Sequence, residues 1–365
     1  MHMTEIQELL HQMLERGASD LFISAEIPPH LKVQGRTRPA QRGSEPWPAL
    51  APGESRRFAY ALMNDAQRAE FEKNKECNFA LATREGGRYR VNVYYQRGEV
   101  SMVIRLIKTN VPSFEVLGVP SQVGQLALLR RGLVLIVGAA GMGKSTTLAA
   151  LVAHRARSLD GHILSVEDPI EYIYPHGKSV VEQREVGIDT LSFADALKNM
   201  MRQAPDVIVI GEIRDRETAK NAIMYAEAGA LCLSTLHSNN ANQAIERIVN
   251  FFPEELHRQV LLDLSLNLKG VVSQRLLTGL HGGQVLATEV LLQSAYSSAL
   301  IQKGEIDQLK DAIRKGSASG MQLLDDCLLE LCRAKRIAPE EALNHADSKT
   351  DLALKLRLAV TPERL

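Results

Sequence analysis

Leu133-Val134-Leu135-Ile136-Val137-Gly138-Ala139-Ala140-Gly141-Met142-Gly143-Lys144-Ser145-Thr146 is the stretch that decides the fold. Its five leading apolar residues, unbroken by a polar one, read as a strand buried on both faces, and residues 146–156 read as the helix that follows. Between them stands Gly138-x4-Gly143-Lys144-Ser145, the phosphate-loop pattern in the strand-to-helix setting that gives it meaning. An ordinary glycine turn does not require that setting. The glycines let backbone N–H groups turn inward around a β-phosphate, and the helix beginning near Ser145 adds its positive N-terminal end. Gly138, Ala139, Ala140, Gly141, Met142, Gly143, Lys144, Ser145 and Thr146 are therefore the expected nucleotide cradle. Lys144 is expected to bridge the β- and γ-phosphates, with the Ser145 hydroxyl on Mg²⁺.

Outward from this loop the pattern is one of buried strands alternating with helices. Residues 163–166, 207–210 and 231–235 read as further strands, and residues 193–202 and 218–228 as further helices. The alternation predicts an α/β fold with a mostly parallel sheet covered on both faces. After about Ala241 the chain is expected to be nearly all helical.

In such a sheet the carboxyl ends of the strands border the ligand crevice. Three strand ends carry chemistry there. The strand at 207–210 runs into Gly211-Glu212, and Glu212 is the leading candidate for the carboxylate that orients or deprotonates water. Its structural alternative is capping the next helix, together with Asp215. The strand at 163–166 ends in Glu167-Asp168-Pro169-Ile170-Glu171, acids that could serve Mg²⁺ or water. Gly211 stands where such strands usually end in Asp, so metal coordination is expected to rest on Ser145 with Glu167 and Asp168. The third strand ends in Leu236-His237; this histidine could sense a γ-phosphate, hydrogen-bond a catalytic carboxylate, or be merely structural. No arginine close to the loop completes the site, since Arg130 and Arg131 lie at the far end of the core strand.

The N-terminal part reads differently. Ile6, Leu9, Leu10, Met13 and Leu14 recur at helical spacing, Gly17 ends that helix, and Leu21-Phe22-Ile23 is a short strand. Four prolines between Pro39 and Pro52 mark a loop in which Trp47 either covers apolar groups or serves as a docking residue. Residues 88–96 alternate, with Tyr89, Val91, Val93 and Tyr95 on one face, and pair with residues 100–107 across Arg97-Gly98-Glu99 as a hairpin. Arg90, Arg97 and Arg105 on this hairpin could complete a nucleotide site from a neighbouring domain or subunit; a solvated surface position is the alternative for each. Residues 108–123, with Pro112, Gly118 and Pro120, read as a linker.

Bulk properties narrow the function class. The 365 residues carry 43 Lys plus Arg against 43 Asp plus Glu, so no net field draws the chain to nucleic acid or an anionic membrane. Cys77, Cys232, Cys327 and Cys332 lack metal-ligand pairing and read as reduced, packed thiols. The start, Met1-His2-Met3-Thr4-Glu5-Ile6, has no basic region with an apolar core behind it, and no segment nears 18 apolar residues. A cytoplasmic protein without membrane insertion is expected.

Four motifs now stand in one order: the loop at 138–146; Ser165-Val166-Glu167-Asp168-Pro169-Ile170-Glu171-Tyr172; the strand and acids at 206–215; and Ser234-Thr235-Leu236-His237-Ser238. Together they resemble the secretion ATPase superfamily, and within it the type IV pilus retraction ATPases of the PilT/PilU family. The likeness runs from Gly17-Ala18-Ser19-Asp20-Leu21 through Val181-Glu182-Gln183-Arg184-Glu185-Val186 to Gly320-Met321-Gln322-Leu323-Leu324-Asp325. The resemblance implies a small PAS-like α+β N-terminal domain over residues 1–110, a linker over 111–122, a RecA-like P-loop ATPase core over 123–280 and a helical C-terminal region over 281–365. It implies ATP and Mg²⁺ as ligands and a homo-hexamer working on an inner-membrane pilus platform protein. The family's catalytic glutamates fall on Glu171 and Glu212, its box histidine on His237, and its trans-acting arginines on the hairpin set Arg90, Arg97 and Arg105. Glu227-Ala228-Gly229-Ala230 and Tyr296-Ser297-Ser298-Ala299-Leu300-Ile301 depart from the main retraction motors, and with Ser238-Asn239-Asn240-Ala241-Asn242-Gln243 they resemble the accessory type. That implies a paralogous retraction ATPase as partner. Two alternatives stand beside a motor: an ATP-binding adaptor of such a paralogue, and a motor on nucleic acid, which the balanced charge and the lack of an aromatic-studded basic groove disfavour.

Overall fold

The computed structural model describes residues 4–83 and 86–360; the start of the chain at residues 1–3 and the last five residues of the C-terminal region lie outside them. The chain divides into two units, Met1–Lys108 and Thr109–Leu365.

The first unit runs α1 (Glu5–Glu15), β1 (Asp20–Ile23), β2 (His30–Val33), β3 (Arg36–Pro39), β4 (Gln41–Arg42), β5 (Glu45–Pro46), α2 (Glu54–Leu62), α3 (Asp65–Asn74), β6 (Glu76–Ala82), β7 (Arg88–Gln96) and β8 (Glu99–Leu106). Its main sheet has the order β3-β2-β1-β8-β7-β6, antiparallel throughout. Helix α1 packs Ile6, Leu9, Leu10 and Met13 into the core at the expected spacing. The β7–β8 hairpin turns at Arg97 and Gly98, with φ of 51° and 82°; two residues in the left-handed region match the twist of the strands they join. The 39–52 stretch is more than a loop, because β4 and β5 form a two-stranded ribbon there. Trp47 at its edge is buried in the same core, with the Arg42 guanidinium 5.3 Å above its ring, so its role is packing rather than docking.

The second unit opens with α4 (Phe114–Leu117) and α5 (Ser121–Ala127), so the stretch expected to be a bare linker contributes Val119 and Val123 to a core. Then follow β9 (Gly132–Val137), α6 (Lys144–Ser158), β10 (Gly161–Glu167), β11 (Ser179–Glu185), α7 (Phe193–Met200), β12 (Val207–Ile210), α8 (Arg216–Glu227), β13 (Leu231–Leu236), α9 (Ala241–Asn250) and α10 (His257–Asn267). The chain ends in β14 (Leu268–Thr278), β15 (Gln284–Leu292), α11 (Ala295–Lys303), α12 (Leu309–Lys315), α13 (Leu324–Arg333), α14 (Pro339–His345) and α15 (Lys349–Val360). The seven strands from β9 to β15 lie in the order β11-β10-β12-β13-β9-β14-β15, parallel except for the antiparallel edge strand β15.

Strand β9 sits inside this sheet. Leu133, Leu135 and Val137 pack with α7 to α10 on one face, Val134 and Ile136 with α5 and α6 on the other, and all five are fully buried. At roughly 1.5–3 kcal/mol each, this burial fixes the root of the phosphate loop with an upper bound on the order of 10 kcal/mol.

The expectation of an almost wholly helical chain after Ala241 is wrong. Strands β14 and β15 form a long hairpin, and β15 lies within the region expected to be helical. Polar residues at paired register positions, Ser273 opposite Glu289 and Gln274 opposite Thr288, hide the strand pattern. All four are buried, and three of them bond to neighbouring elements: Ser273 Oγ donates to Asn239 O at 2.8 Å, Gln274 Nε2 donates to Thr147 Oγ1 of α6 at 2.8 Å, and Glu289 Oε1 accepts from Ala241 N at the start of α9 at 2.9 Å. Among the described residues no helix is long and apolar enough to cross a membrane.

Candidate active site

The phosphate loop leaves β9 at Gly138 and enters α6 at Lys144. Gly141 and Gly143 take φ of 78° and 79°, which side chains resist. At Gly138 the constraint is steric: a Cβ would stand 2.8 Å from the Gln274 carbonyl oxygen of β14. Leu276 N of the same strand donates to Met142 Sδ at 3.3 Å, so the C-terminal hairpin backs the loop. Thr146 Oγ1 lies 3.0 Å from Tyr172 OH.

Four strand ends converge beside the loop on a cleft of about 290 Å³ lined by Lys144, Ser145, Glu167, Asp168, Glu171, Glu212, Arg214 and His237, among others. Lys144 is buried. Its Nζ donates to the carbonyls of Gly138 and Ala139, both at 2.9 Å, and stands 3.4 Å from His237 Nδ1. Burial pulls its pKa below the usual lysine value, against the opposing pull of Glu212 and Glu171. An ammonium can only donate, so Nδ1 accepts and the ring proton sits on Nε2. That nitrogen is 3.0 Å from Glu212 Oε1.

Glu212 leaves β12 through Gly211, whose own Cβ would come within 3.3 Å of Glu167 Cα. The close approach of the β10 and β12 ends accounts for a glycine where an aspartate is usual. Capping of α8 falls to Asp215, which accepts from Thr218 N at 2.9 Å, and Glu212 is left facing the cleft. Its second oxygen, Oε2, accepts from Arg214 Nε at 3.0 Å, and Arg214 Nη1 also lies 3.6 Å from Asp168 Oδ2. Arg214 is thus an arginine close to the loop that the sequence alone does not single out, and its contacts are with the cleft carboxylates. Its position four residues past the end of β12 does not reveal that the side chain folds back.

Glu167 faces inward. It is 6% exposed, and its oxygens accept from Ser165 Oγ at 2.8 Å, Gln183 Nε2 at 3.0 Å and Tyr174 OH at 3.5 Å. Burial raises its pKa to about 7, with the Gln183 and Ser165 hydrogen bonds resisting. The folded value lies above the ordinary carboxyl value, so this group's stabilising contribution is full below about pH 4.5 and is lost as pH rises through about 7. Urea denaturation of the nucleotide-free chain should show Glu167→Gln removing about 2 kcal/mol of stability loss between about pH 5.5 and pH 8.

Arg90 on β7, Arg97 in the hairpin turn and Arg105 on β8 belong to the first unit. Arg105 Nε donates to buried Asp20 Oδ1 at 2.8 Å. Among the described residues no group of three or more His, Cys, Asp or Glu forms a closed metal cage. The cleft instead offers a hydroxyl and carboxylates, an oxygen donor set that suits Mg²⁺, which takes few protein ligands and completes its shell with phosphate and water.

Comparisons with known proteins show which family the chain resembles. The family model described as "Type II/IV secretion system protein" matches residues 3–299. The type IV pilus ATPase PilU of Pseudomonas aeruginosa is 50% identical over 355 residues, covering 97% of this chain and 92% of that protein. The type IV pilus retraction ATPase PilT of the same organism is 38% identical over 342 residues, 94% of this chain and 98% of that one. Among solved structures, the pilus retraction motor PilT with bound ADP has 37% identity and a TM-score of 0.88, covering 97% of this chain and all of the other.

Proposed function

The chain belongs to the type II/IV secretion system protein family, and from that premise we propose that it is the ATPase of a type IV pilus retraction machine, acting as the PilU-type partner of a main retraction motor. The observation that carries the hydrolytic part is Glu212 held between His237 Nε2 and Arg214 Nε at the mouth of the phosphate loop. A carboxylate so oriented, with lone pairs to spare, can take a proton from an attacking water. Lys144 would draw charge from the β- and γ-phosphates. Ser145 and the acids Asp168 and Glu167 would hold Mg²⁺, which, when bound, neutralises phosphate charge; Asp168 faces the cleft, whereas Glu167 would have to release one of its present donors. Glu171 lines the cleft beside Lys144 and would assist Glu212.

The wider reading is a homo-hexamer at the cytoplasmic face of the inner membrane, in which hydrolysis changes subunit geometry and works a platform protein of the pilus base. The antiparallel first unit would be its PAS-like domain. Arg90, Arg97 or Arg105 would reach the γ-phosphate of a neighbouring subunit, a contact that links rate to assembly. A nucleic-acid partner has no support in the balanced charge.

The test is pilus retraction in the source cells, imaged with labelled pili, with Glu212→Gln in place of the wild type and the paralogous motor present. Loss of retraction is expected. Retraction that persists with Glu212→Gln but vanishes on deleting the chain would instead favour the ATP-binding adaptor.

A further inference from the structure

Arg214 is rooted more firmly than its half-exposed guanidinium suggests. Ile213 before it is buried and donates its N–H to Thr235 O at 2.9 Å, and Asp215 after it caps α8. Arg214 N itself points at Thr218 Oγ1 at 3.3 Å. From this fixed base the side chain spans two neighbouring strand ends, reaching Glu212 from β12 and Asp168 from β10.

Stability does not explain the arrangement. The Arg214 side chain is 53% exposed, and ion pairs that open to solvent contribute little. Geometry does. Glu212 is only 19% exposed, and each of its oxygens has one directional donor: the ring nitrogen of His237 on Oε1 and the guanidinium on Oε2. One donor would leave the carboxylate free to rotate about its last bond. Two hold the plane of the carboxylate, and therefore the lone pairs available to water. A guanidinium can present separate N–H groups to two acids at once, which an ammonium on a flexible stem cannot do with the same fixed angles.

We propose that Arg214 is a positioning residue for hydrolysis, acting through Glu212 by fixing the carboxylate plane from the same chain, with Asp168 anchoring the guanidinium. The inference rests on the hydrolytic reading above. It differs from a trans-acting arginine in needing no second subunit and no contact with phosphate.

Steady-state ATP hydrolysis by the purified full chain tests it, with Arg214→Lys, Arg214→Ala and Lys144→Ala beside the wild type, and with the affinity for a fluorescent ATP analogue measured for each. Both Arg214 variants should lose at least about tenfold in kcat, since misplacing a reacting group by an ångström is that costly. KM and analogue affinity should stay within about threefold, because uniform binding is untouched. Millimolar guanidinium, but not methylammonium, should restore part of the rate of Arg214→Ala; a residue needed only for folding would not respond. Wild-type turnover in Arg214→Lys would overturn the inference alone, as would a loss of analogue affinity that parallels the loss of kcat. A wild type without Lys144-dependent turnover would overturn the hydrolytic reading and this inference with it.

Discussion

Glu212→Gln is expected to lower ATP turnover by about 10²- to 10⁴-fold while leaving nucleotide binding intact. The amide is nearly the same size as the carboxylate and its oxygen can still accept from Arg214; its NH2 then faces His237 Nε2 and gives up that contact, but the nucleotide cradle itself is untouched. What is lost is the basic oxygen that would take the proton from water. Lys144, the loop glycines and the start of α6 are unaltered, so ATP should bind and then stay. Thermal denaturation gives the complementary readout. A ligand present at about 100 times its dissociation constant adds about 2.7 kcal/mol to stability, and the variant should show that gain with ATP itself because little is hydrolysed. Turnover close to wild type would move the base elsewhere, and Glu171, which lines the same cleft, would be the residue to change next.

Glu212 and His237 stand out in the sequence alone because of strand geometry. A buried parallel strand ends at the crevice, so a polar residue just past an apolar run has few other places to be. The loop at 138–146 is legible for the same reason, since its strand, its glycines and its helix are contiguous in sequence. Arg214, Gln183 and Gln274 are not, because their roles depend on folding back or on pairing between distant strands. Gln183 meets Glu167 only through the parallel register of β10 and β11. Gln274 meets Thr147 only because β14 lies beside β9.

The C-terminal hairpin fails to announce itself through that same physics. A strand is recognised by alternation or by an apolar run, and β15 carries Thr288 and Glu289 in its middle, both buried. Glu289 is tolerated there because it takes the Ala241 N–H at the start of α9, and burial raises its pKa toward the neutral form. Local pattern and tertiary demand conflict at this position, and tertiary demand decides the structure.

Lys144→Ala should remove nucleotide binding rather than turnover alone. Its ammonium is the one charged donor rising from the loop itself, and it now rests on two loop carbonyls and against His237. Phosphate oxygens would replace those acceptors. Charge-assisted hydrogen bonds contribute about 1.5–3 kcal/mol each, so losing two should weaken ATP affinity by about 10²- to 10⁴-fold. The nucleotide-free fold should tolerate the change, because the substitution also deletes a cation that burial disfavours. Equilibrium binding and denaturation should therefore diverge: unfolding without nucleotide close to wild type, but no stabilisation on adding ATP. This variant separates the two uses of the loop. If hydrolysis drives retraction, Lys144→Ala and Glu212→Gln fail alike in cells. If ATP only orders an adaptor, Glu212→Gln, which holds its nucleotide, supports retraction and Lys144→Ala does not. Retraction with both variants in place would mean that the nucleotide is dispensable for this chain's part in the machine.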